Sequence, residues 1–156
     1  MDCPLCREPG GRVLWRSDEL RVLDVDDPGY PGFTRVVLQA HRAEMTDLDE
    51  ALRARIMRVV WTVESAQRAV LAPDKVNLAS LGNMVPHLHW HVIPRWRDDR
   101  HFPDAVWAPP RRDAGQEAPA IARARRMLPD YHARLVHALD EARDGQALSM
   151  PRIGRK

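Results

Sequence analysis

The chain has 156 residues, of which 44% are hydrophobic and 29% charged, and its formal net charge is +2 at pH 7. These values are typical of one globular domain, and so small a charge does not indicate nucleic-acid binding. No apolar run approaches the roughly 18 residues of a membrane span. The N-terminus lacks the basic and apolar regions of a secretory signal, so we expect a cytoplasmic protein.

The N-terminal stretch MDCPLCREPGG carries both cysteines of the chain, Cys3 and Cys6. Two cysteines so close together cannot staple a domain of this size, and a C-x-x-C pair in a cytosolic chain more often binds a metal or does redox work. No predicted strand precedes the pair, which disfavours thioredoxin-like redox chemistry. Two reduced surface cysteines are the alternative interpretation.

Two strands and a long helix are predicted next. The run LRVLDV at 20–25 is apolar and β-branched and ends in the turn formers DDPGYPG, and FTRVVLQA at 33–40 has a similar composition. Apolar residues then recur every three or four positions, which predicts a helix over 46–71. Thr46 or Asp47 is the expected N-cap, because acidic residues follow in the first turn.

The second half of the chain predicts two further strands and a helix. KVNLASL at 75–81 indicates one strand, and GNMVPHLHWHVIPR at 82–95 contains another. Residues 101–119 are rich in proline and are predicted to be mostly loop. A C-terminal helix is expected over 130–143, capped by Asp130.

Three histidines at alternate positions dominate the segment at 82–95. In a strand, residues i, i+2 and i+4 share a face, whereas on a helix they would diverge. Neighbouring imidazoles also disfavour one another's protonation, which keeps them neutral near pH 7 and free to act as nucleophiles or ligands. We therefore predict one surface lined by imidazoles, those of His87, His89 and His91. The opposite surface would be apolar and formed by Leu88, Trp90 and Val92.

The motif HLHWHVI resembles the signature of the histidine triad (HIT) superfamily, His-φ-His-φ-His-φ-φ with φ apolar. The order of predicted elements over about residues 3–95 is similar to a bacterial branch of that superfamily. So is the sequence NLASLGNMVPHLHWHVIPRW, followed by DDRHFP. The resemblance implies an α+β fold, a bent antiparallel sheet of about five strands with the long helix on one face, and a homodimer. The HIT domain would cover 1–110, with a helical extension and basic tail over 111–156 in the same structural unit.

The resemblance implies a nucleotide hydrolase. In that superfamily the middle histidine, here His89, attacks the α-phosphorus of a dinucleoside polyphosphate such as diadenosine tetraphosphate, or of a nucleoside phosphoramidate. A nucleotidyl-histidine intermediate results, and water discharges it. His91 would donate a hydrogen bond to a phosphate oxygen, and His87 completes the triad. A neutral imidazole is a good nucleophile near pH 7, and fixing it replaces attack by poorly positioned water.

Four further residues are implied as substrate contacts by the same resemblance. Asp24 would hold the ribose hydroxyls, and Asn77 would act near the scissile bridge. Gly82 would let the backbone approach the phosphate, and Asn83 would contact it. Ordinary turn or strand-end polarity is the alternative for the two asparagines.

Two positions depart from the superfamily pattern. Met84 stands where many members have a serine or threonine that assists the leaving group, and Phe33 stands where many have a histidine. These departures favour a non-catalytic nucleotide-binding or protein-interaction module, whereas the intact triad favours the hydrolase. A nucleotidyl transferase with a second phosphorylated acceptor is a third possibility.

A structural zinc ion is also implied, because some HIT proteins bind zinc with a Cys2His2 set, although none is required for the chemistry. Tetrahedral zinc takes four nitrogen or sulfur ligands. The set here would be Cys3, Cys6, His41 and His87. Surface or packing roles are expected for His132 and His137 on the C-terminal helix, and also for His101, for which a return to the site is the alternative.

Overall fold

The computed structural model of the chain describes residues 3–113, 115 and 117–143. Its centre is a five-stranded antiparallel sheet in the order β1-β2-β3-β5-β4. The α+β architecture is therefore confirmed. The strands are β1 (Arg12–Arg16), β2 (Leu20–Asp24), β3 (Thr34–Leu38), β4 (Lys75–Ser80) and β5 (His89–Arg95). Sequence reasoning located β2 to β5 but did not place β1.

The helices comprise two that pack on the sheet and two short ones. They are α1 (Pro4–Arg7), α2 (Glu50–Val70), α3 (Pro119–Arg126) and α4 (Leu128–Arg143), with a 3-10 turn at Met45–Asp47 before α2. Neither short helix was predicted.

The start of α2 differs from the prediction. The helix begins at Glu50, because the Asp49 carboxylate accepts a hydrogen bond from the Leu52 amide at 2.7 Å and caps it. The predicted caps, Thr46 and Asp47, lie instead in the 3-10 turn. At the other end of the chain, α4 begins at Leu128, so Asp130 lies within its first turn and does not cap it.

One face of the sheet forms the main core with α2 and α4. Alternate side chains of β2, β3 and β5 point toward the helices, and α4 packs against α2 and β1 in the same core. The buried side chains include Val22, Val36, Val92, Ile56, Val63, Tyr131, Leu135 and Leu139. The C-terminal extension is thus part of the core from Pro119 to Arg143, and the basic tail after residue 143 lies outside the described residues.

The opposite face of the sheet carries His89 and His91, and we name it the histidine face. Because Trp90 and Val92 pack into the main core, the alternation of β5 directs the two imidazoles away from α2. Two small apolar clusters flank them on this face. One consists of Cys3, Leu5, Leu23 and Val37, and the other of Tyr30, Phe33 and Ile93.

The chain after β5 returns across the histidine face. Arg95 and Asp99 form a buried ion pair at 2.7 Å that turns the chain back. Val106 then packs against the Tyr30, Phe33 and Ile93 cluster, and Trp107 reaches the His91 ring. Within the described part of the chain, no helix is both long enough and apolar enough to cross a membrane.

Candidate active site

The ring orientation of His89 is set by its own backbone neighbourhood. His89 Nδ1 lies 2.6 Å from the carbonyl oxygen of His87. A carbonyl can only accept, so Nδ1 carries the proton and donates it, which leaves the lone pair on Nε2. Burial lowers the pKa of His89 below its usual value, and the Arg35 charge adds to that effect. The ring is therefore neutral near pH 7 with a free nucleophilic nitrogen.

His91 lies beside His89 with the two ring centroids 4.8 Å apart and nearly perpendicular. Burial, followed by the charges of His89 and Arg35, lowers the pKa of His91 to about 4. Its Nδ1 is buried and finds no hydrogen-bond partner among the described residues. A buried polar atom without a partner is unfavourable, so this nitrogen is available to a ligand.

His87 does not share the histidine face with His89 and His91, which are themselves buried at 8% and 6% exposure, and this corrects the prediction of three imidazoles lining one surface. β5 begins at His89, and the His87 ring is fully buried before it. Its Nε2 donates to the Leu38 carbonyl at 2.7 Å, so its Nδ1 lone pair points to the sulfurs of Cys3 and Cys6, at 3.4 and 3.5 Å. The carbonyl of His87, and not its ring, acts on His89.

The four predicted zinc ligands meet at the N-terminal side of the histidine face. Their ligand atoms all lie within 4.8 Å of one another, and Cys6 Sγ is 3.4 Å from His41 Nδ1. In tetrahedral zinc, bond lengths of about 2.3 Å to sulfur and 2.0–2.1 Å to nitrogen place these atoms about 3.5 Å apart. The cluster of Cys3, Cys6, His41 and His87 is therefore compatible with a metal site.

Asp24 lies on the wrong face for the predicted ribose contact. It pairs with Thr34 across β2 and β3 and points toward α4, whereas His89 and His91 point to the other side of the sheet. Its carboxylate accepts hydrogen bonds from Arg12 and from His132 Nε2, both at 3.0 Å. A strand reverses its side-chain direction at every residue, so a shift of one position in the alignment of β2 would place a different residue on the histidine face.

Asn77 lies on the histidine face, where β4 pairs with β5. Its Oδ1 accepts from Arg95 Nη1 at 2.7 Å, which leaves the Nδ2 hydrogens directed elsewhere. Asn77 also lines a cavity of about 510 Å³ together with Ile93, Val106 and Trp107. Its predicted place beside the triad strand is consistent with this geometry.

Gly82 and Asn83 lie in the bend between β4 and β5. A Cβ at Gly82 would lie 3.8 Å from the Val85 carbonyl, an ordinary van der Waals distance, so no contact among the described residues requires glycine there. Asn83 is exposed, and the neighbouring Met84 side chain is 95% exposed. The described contacts do not connect either predicted residue to His89.

Three features of the site were missed by sequence reasoning. Arg35 pairs directly with His91 across β3 and β5. Trp107 contacts the His91 ring edge-on with centroids 5.4 Å apart. Tyr30 donates to Asp99, and His101 lies against the same Tyr30 hydroxyl, so His101 belongs to the network that supports the returning loop. Only Arg35 had a sequence signal, since it alternates in step with Phe33 and Val37 along a predicted strand.

The fold and the site define a class of protein in which an antiparallel sheet presents two adjacent neutral imidazoles next to a Cys2His2 cluster. The HIT domain family model matches residues 7–98, and the chain belongs to that family. The match covers the histidine face but does not include Cys3, Cys6 or the loop that carries Trp107.

Relatives and solved structures agree with this membership. A histidine triad protein from Bradyrhizobium japonicum is 30% identical, with a TM-score of 0.58 over 74% of this chain and 89% of that one. One from Marinobacter aquaeolei is 26% identical, with a TM-score of 0.63 over 83% and 88%. An uncharacterized HIT-like protein from Borreliella burgdorferi is 26% identical over 63% of this chain and 78% of its own length.

Proposed function

We propose that this chain is a nucleotide hydrolase that cleaves at the α-phosphate of a dinucleoside polyphosphate or a nucleoside phosphoramidate. The observation that carries the proposal is the hydrogen bond from His89 Nδ1 to the His87 carbonyl. It fixes one tautomer and leaves Nε2 as an unprotonated nucleophile on the histidine face.

The reaction proceeds in two displacements. His89 Nε2 attacks the α-phosphorus, a P–N bond forms, and the bond to the leaving group breaks with its electron pair on the leaving group. The imidazole then carries a positive charge, which the His87 carbonyl stabilises through Nδ1–H. Water attacks the same phosphorus next, the P–N bond breaks with its electron pair returning to Nε2, the water loses a proton to solvent, and a nucleoside monophosphate is released.

Substrate binding in this proposal uses the groups left without partners. His91 Nδ1, once protonated or tautomerised by the substrate, donates to a phosphate oxygen, and the Nδ2 hydrogens of Asn77 approach the scissile bridge. Asn83 and the backbone at Gly82 contact the phosphate if the bend between β4 and β5 closes over it. The cavity that Asn77, Ile93 and Trp107 line accepts the nucleoside or the leaving group.

A non-catalytic nucleotide-binding module is the second candidate, and two residues favour it. Phe33 packs on His91 with ring centroids 5.6 Å apart, and it has no proton to give a leaving group. Met84 is almost fully exposed and likewise has none. Such a module would bind nucleotides with the same side chains but would not form the covalent intermediate.

Turnover of defined substrates separates the two candidates. The protein is incubated with adenylyl and guanylyl dinucleoside polyphosphates and phosphoramidates, and release of mononucleotide is followed. We expect release by the wild type and by His137→Ala, a control histidine on the exposed side of α4. Acid quench followed by high pH, where phosphoramidates persist, should trap an α-labelled nucleotide on the protein. Binding without release or label would support the module.

We also propose that Cys3, Cys6, His41 and His87 hold a structural zinc ion. The ligand separations fit tetrahedral zinc, and both cysteines are free thiols. Zinc would cross-link α1 to the segment after β3, which carries His41, and to the segment before β5, which carries His87. It would take no part in the displacement steps. Reduced cysteines of this kind fit a cytoplasmic location.

A homodimer is proposed as the functional unit. β4 is an outer strand of the sheet, and an unpaired edge is available for association. Trp61 on the neighbouring α2, Leu78 and Leu81 are large apolar side chains that are more than one third exposed. Sedimentation should give the mass of two chains, and Leu78→Lys should lower it to one.

A further inference from the structure

A second charged group lies on the histidine face. Arg35 is on β3, directly opposite His91 on β5. Directly opposed residues of antiparallel strands have Cβ atoms about 4.5–5.5 Å apart, so the two side chains are neighbours. The guanidinium lies over the Phe33 ring, 5.9 Å from its centroid. Phe33, which departs from the family's histidine, therefore supports the arginine from one side.

Arg35 is a half-buried cation without a carboxylate partner among the described residues. Its one hydrogen bond is a long donation from Nη1 to the Gly10 carbonyl at 3.4 Å. Its Nε is buried and finds no acceptor in the part of the chain that the structure describes. Arginine stays charged in proteins, and a buried charge without a counter-ion is costly.

The other buried arginines of the sheet are satisfied. Arg95 donates to both oxygens of Asp99, at 2.7 and 3.1 Å, and to Asn77 at 2.7 Å. Arg21 donates to the carbonyls of Pro9 and Leu5 and to Gln39. Arg35 is thus the exception on this sheet, and it lies directly opposite His91, the neighbour of the proposed nucleophile on the histidine face.

We propose that Arg35 binds a phosphate group of the substrate, an inference that rests on the proposed nucleotide site. A phosphate within reach of His89 Nε2 and the open nitrogen of His91 would lie next to the guanidinium. The planar donor set of arginine matches two phosphate oxygens at once. Arg35 thereby supplies fixed positive charge at a site where neither Met84 nor Phe33 can contribute a donor.

Binding of adenosine monophosphate and of adenosine, measured by calorimetry on the full chain, tests this role. Arg35→Gln should lower the affinity for adenosine monophosphate by about 10–100-fold, because a hydrogen bond to a charged group contributes about 1.5–3 kcal/mol. Adenosine, which has no phosphate, should bind equally well to both. Arg35→Lys should restore part of the loss. Arg68→Gln, which removes the same charge from the exposed side of α2, should change nothing.

Three results would overturn the assignment. The first is equal affinity of wild type and Arg35→Gln for the monophosphate. The second is a loss of affinity for adenosine in Arg35→Gln as large as its loss for the monophosphate. The third is a wild type that binds neither the monophosphate nor inorganic phosphate. The hydrolase proposal fails separately. If Arg35→Gln weakens the monophosphate but the wild type releases no product, Arg35 remains a phosphate ligand of a binding module. If the wild type turns over and Arg35→Gln binds normally, only the arginine's role is lost.

Discussion

At the scale of single residues, the two imidazoles of the histidine face differ in their hydrogen bonding. The His87 carbonyl holds the proton of His89 on Nδ1, whereas His91 has a buried nitrogen without a partner. The two rings are neighbours of the same chemical type, yet their roles differ. In the proposed reaction, His89 uses its free lone pair for attack and His91 donates a hydrogen bond to the phosphate.

Substituting each histidine by alanine should therefore give two different outcomes. His89→Ala loses the covalent step and should fall to the uncatalysed background. His91→Ala loses one charge-stabilising donor, which is typically worth about 10²–10³ in rate, so a trace of activity should remain. Nucleotide binding should survive in His89→Ala, since the phosphate contacts remain. Steady-state rates and calorimetry measure both, and near-normal turnover by His89→Ala would exclude the mechanism.

The low pKa of His91 predicts how stability depends on pH. Its folded pKa is about 4 against an ordinary 6.5, so between these values the unfolded chain binds more protons than the folded one. The free energy of unfolding should therefore fall as pH is lowered from 6.5 to 4. His91→Asn cannot titrate and should show a shallower decline in urea melts across this range. An unchanged slope would mean that His91 is not buried as described.

At the scale of secondary-structure elements, the sequence predicted most of what periodicity and turn residues encode. β2, β3, β4, β5, α2 and α4 are all located by it to within a few residues. β1 was missed because RVLWR has only three consecutive apolar residues between two arginines, without alternation, and its register shifts between Val13 and Trp15. The start of α2 was misplaced because two nearby aspartates can each cap a helical turn. Asp47 belongs to the 3-10 turn, and Asp49 caps α2.

The candidate site was predictable to the extent that it depends on alternation along one strand. The shared face of His89 and His91 follows from their spacing. Alternation groups Arg35 with Phe33 and Val37 on one face of β3, but whether that face, or the one that carries Asp24 on β2, is the face of His89 and His91 depends on strand register, which no local pattern encodes. Trp107 and His101 reach the site through a loop held by the Arg95–Asp99 ion pair, a tertiary contact without sequence periodicity.

One consequence at this scale is that His132, expected to be a surface or packing residue, anchors α4. Its Nε2 donates to Asp24 at 3.0 Å, and its Nδ1 accepts from Arg12 at 2.9 Å. Burial alone would raise the pKa of Asp24, but the hydrogen bonds from His132, the Asp26 amide and Arg12 outweigh it and lower the value to about 2. The ionised carboxylate thus joins α4 to β1 and β2.

His132→Ala should destabilise the fold at neutral pH, because it removes a partner of a buried carboxylate. The loss should be about 1–3 kcal/mol. Since the folded pKa of Asp24 lies below its ordinary 3.8, its stabilisation is present above that pH and disappears as pH falls toward 2. The difference between His132→Ala and wild type in urea melts should shrink over that range. His137→Ala, on the exposed surface, should match the wild type throughout.

At the scale of the whole molecule, the Cys2His2 cluster joins parts of the chain that are distant in sequence. Cys3 and Cys6 lie at the N-terminus, His41 follows β3, and His87 precedes β5. The spacing from 6 to 41 to 87 matches no compact zinc motif, so only the family resemblance predicted the set. Arg21 adds a second tie, because it donates to the Leu5 carbonyl within α1. The N-terminus is thereby held against the segment that orients His89.

Removing the two sulfurs should consequently damage the fold more than the chemistry. Metal analysis of protein purified without chelator should find about one zinc per chain. The double variant Cys3→Ser, Cys6→Ser should lose it and melt at a lower temperature, because metal binding in such a site contributes to folding. A chelator should lower the melting temperature of the wild type toward that of the variant and leave the variant unchanged. The His87 carbonyl still accepts the hydrogen bond from His89 Nδ1 in this variant. The variant should therefore retain turnover at temperatures below its melting point. The site would be ruled out if the purified wild type contained no zinc and melted at the same temperature as the variant.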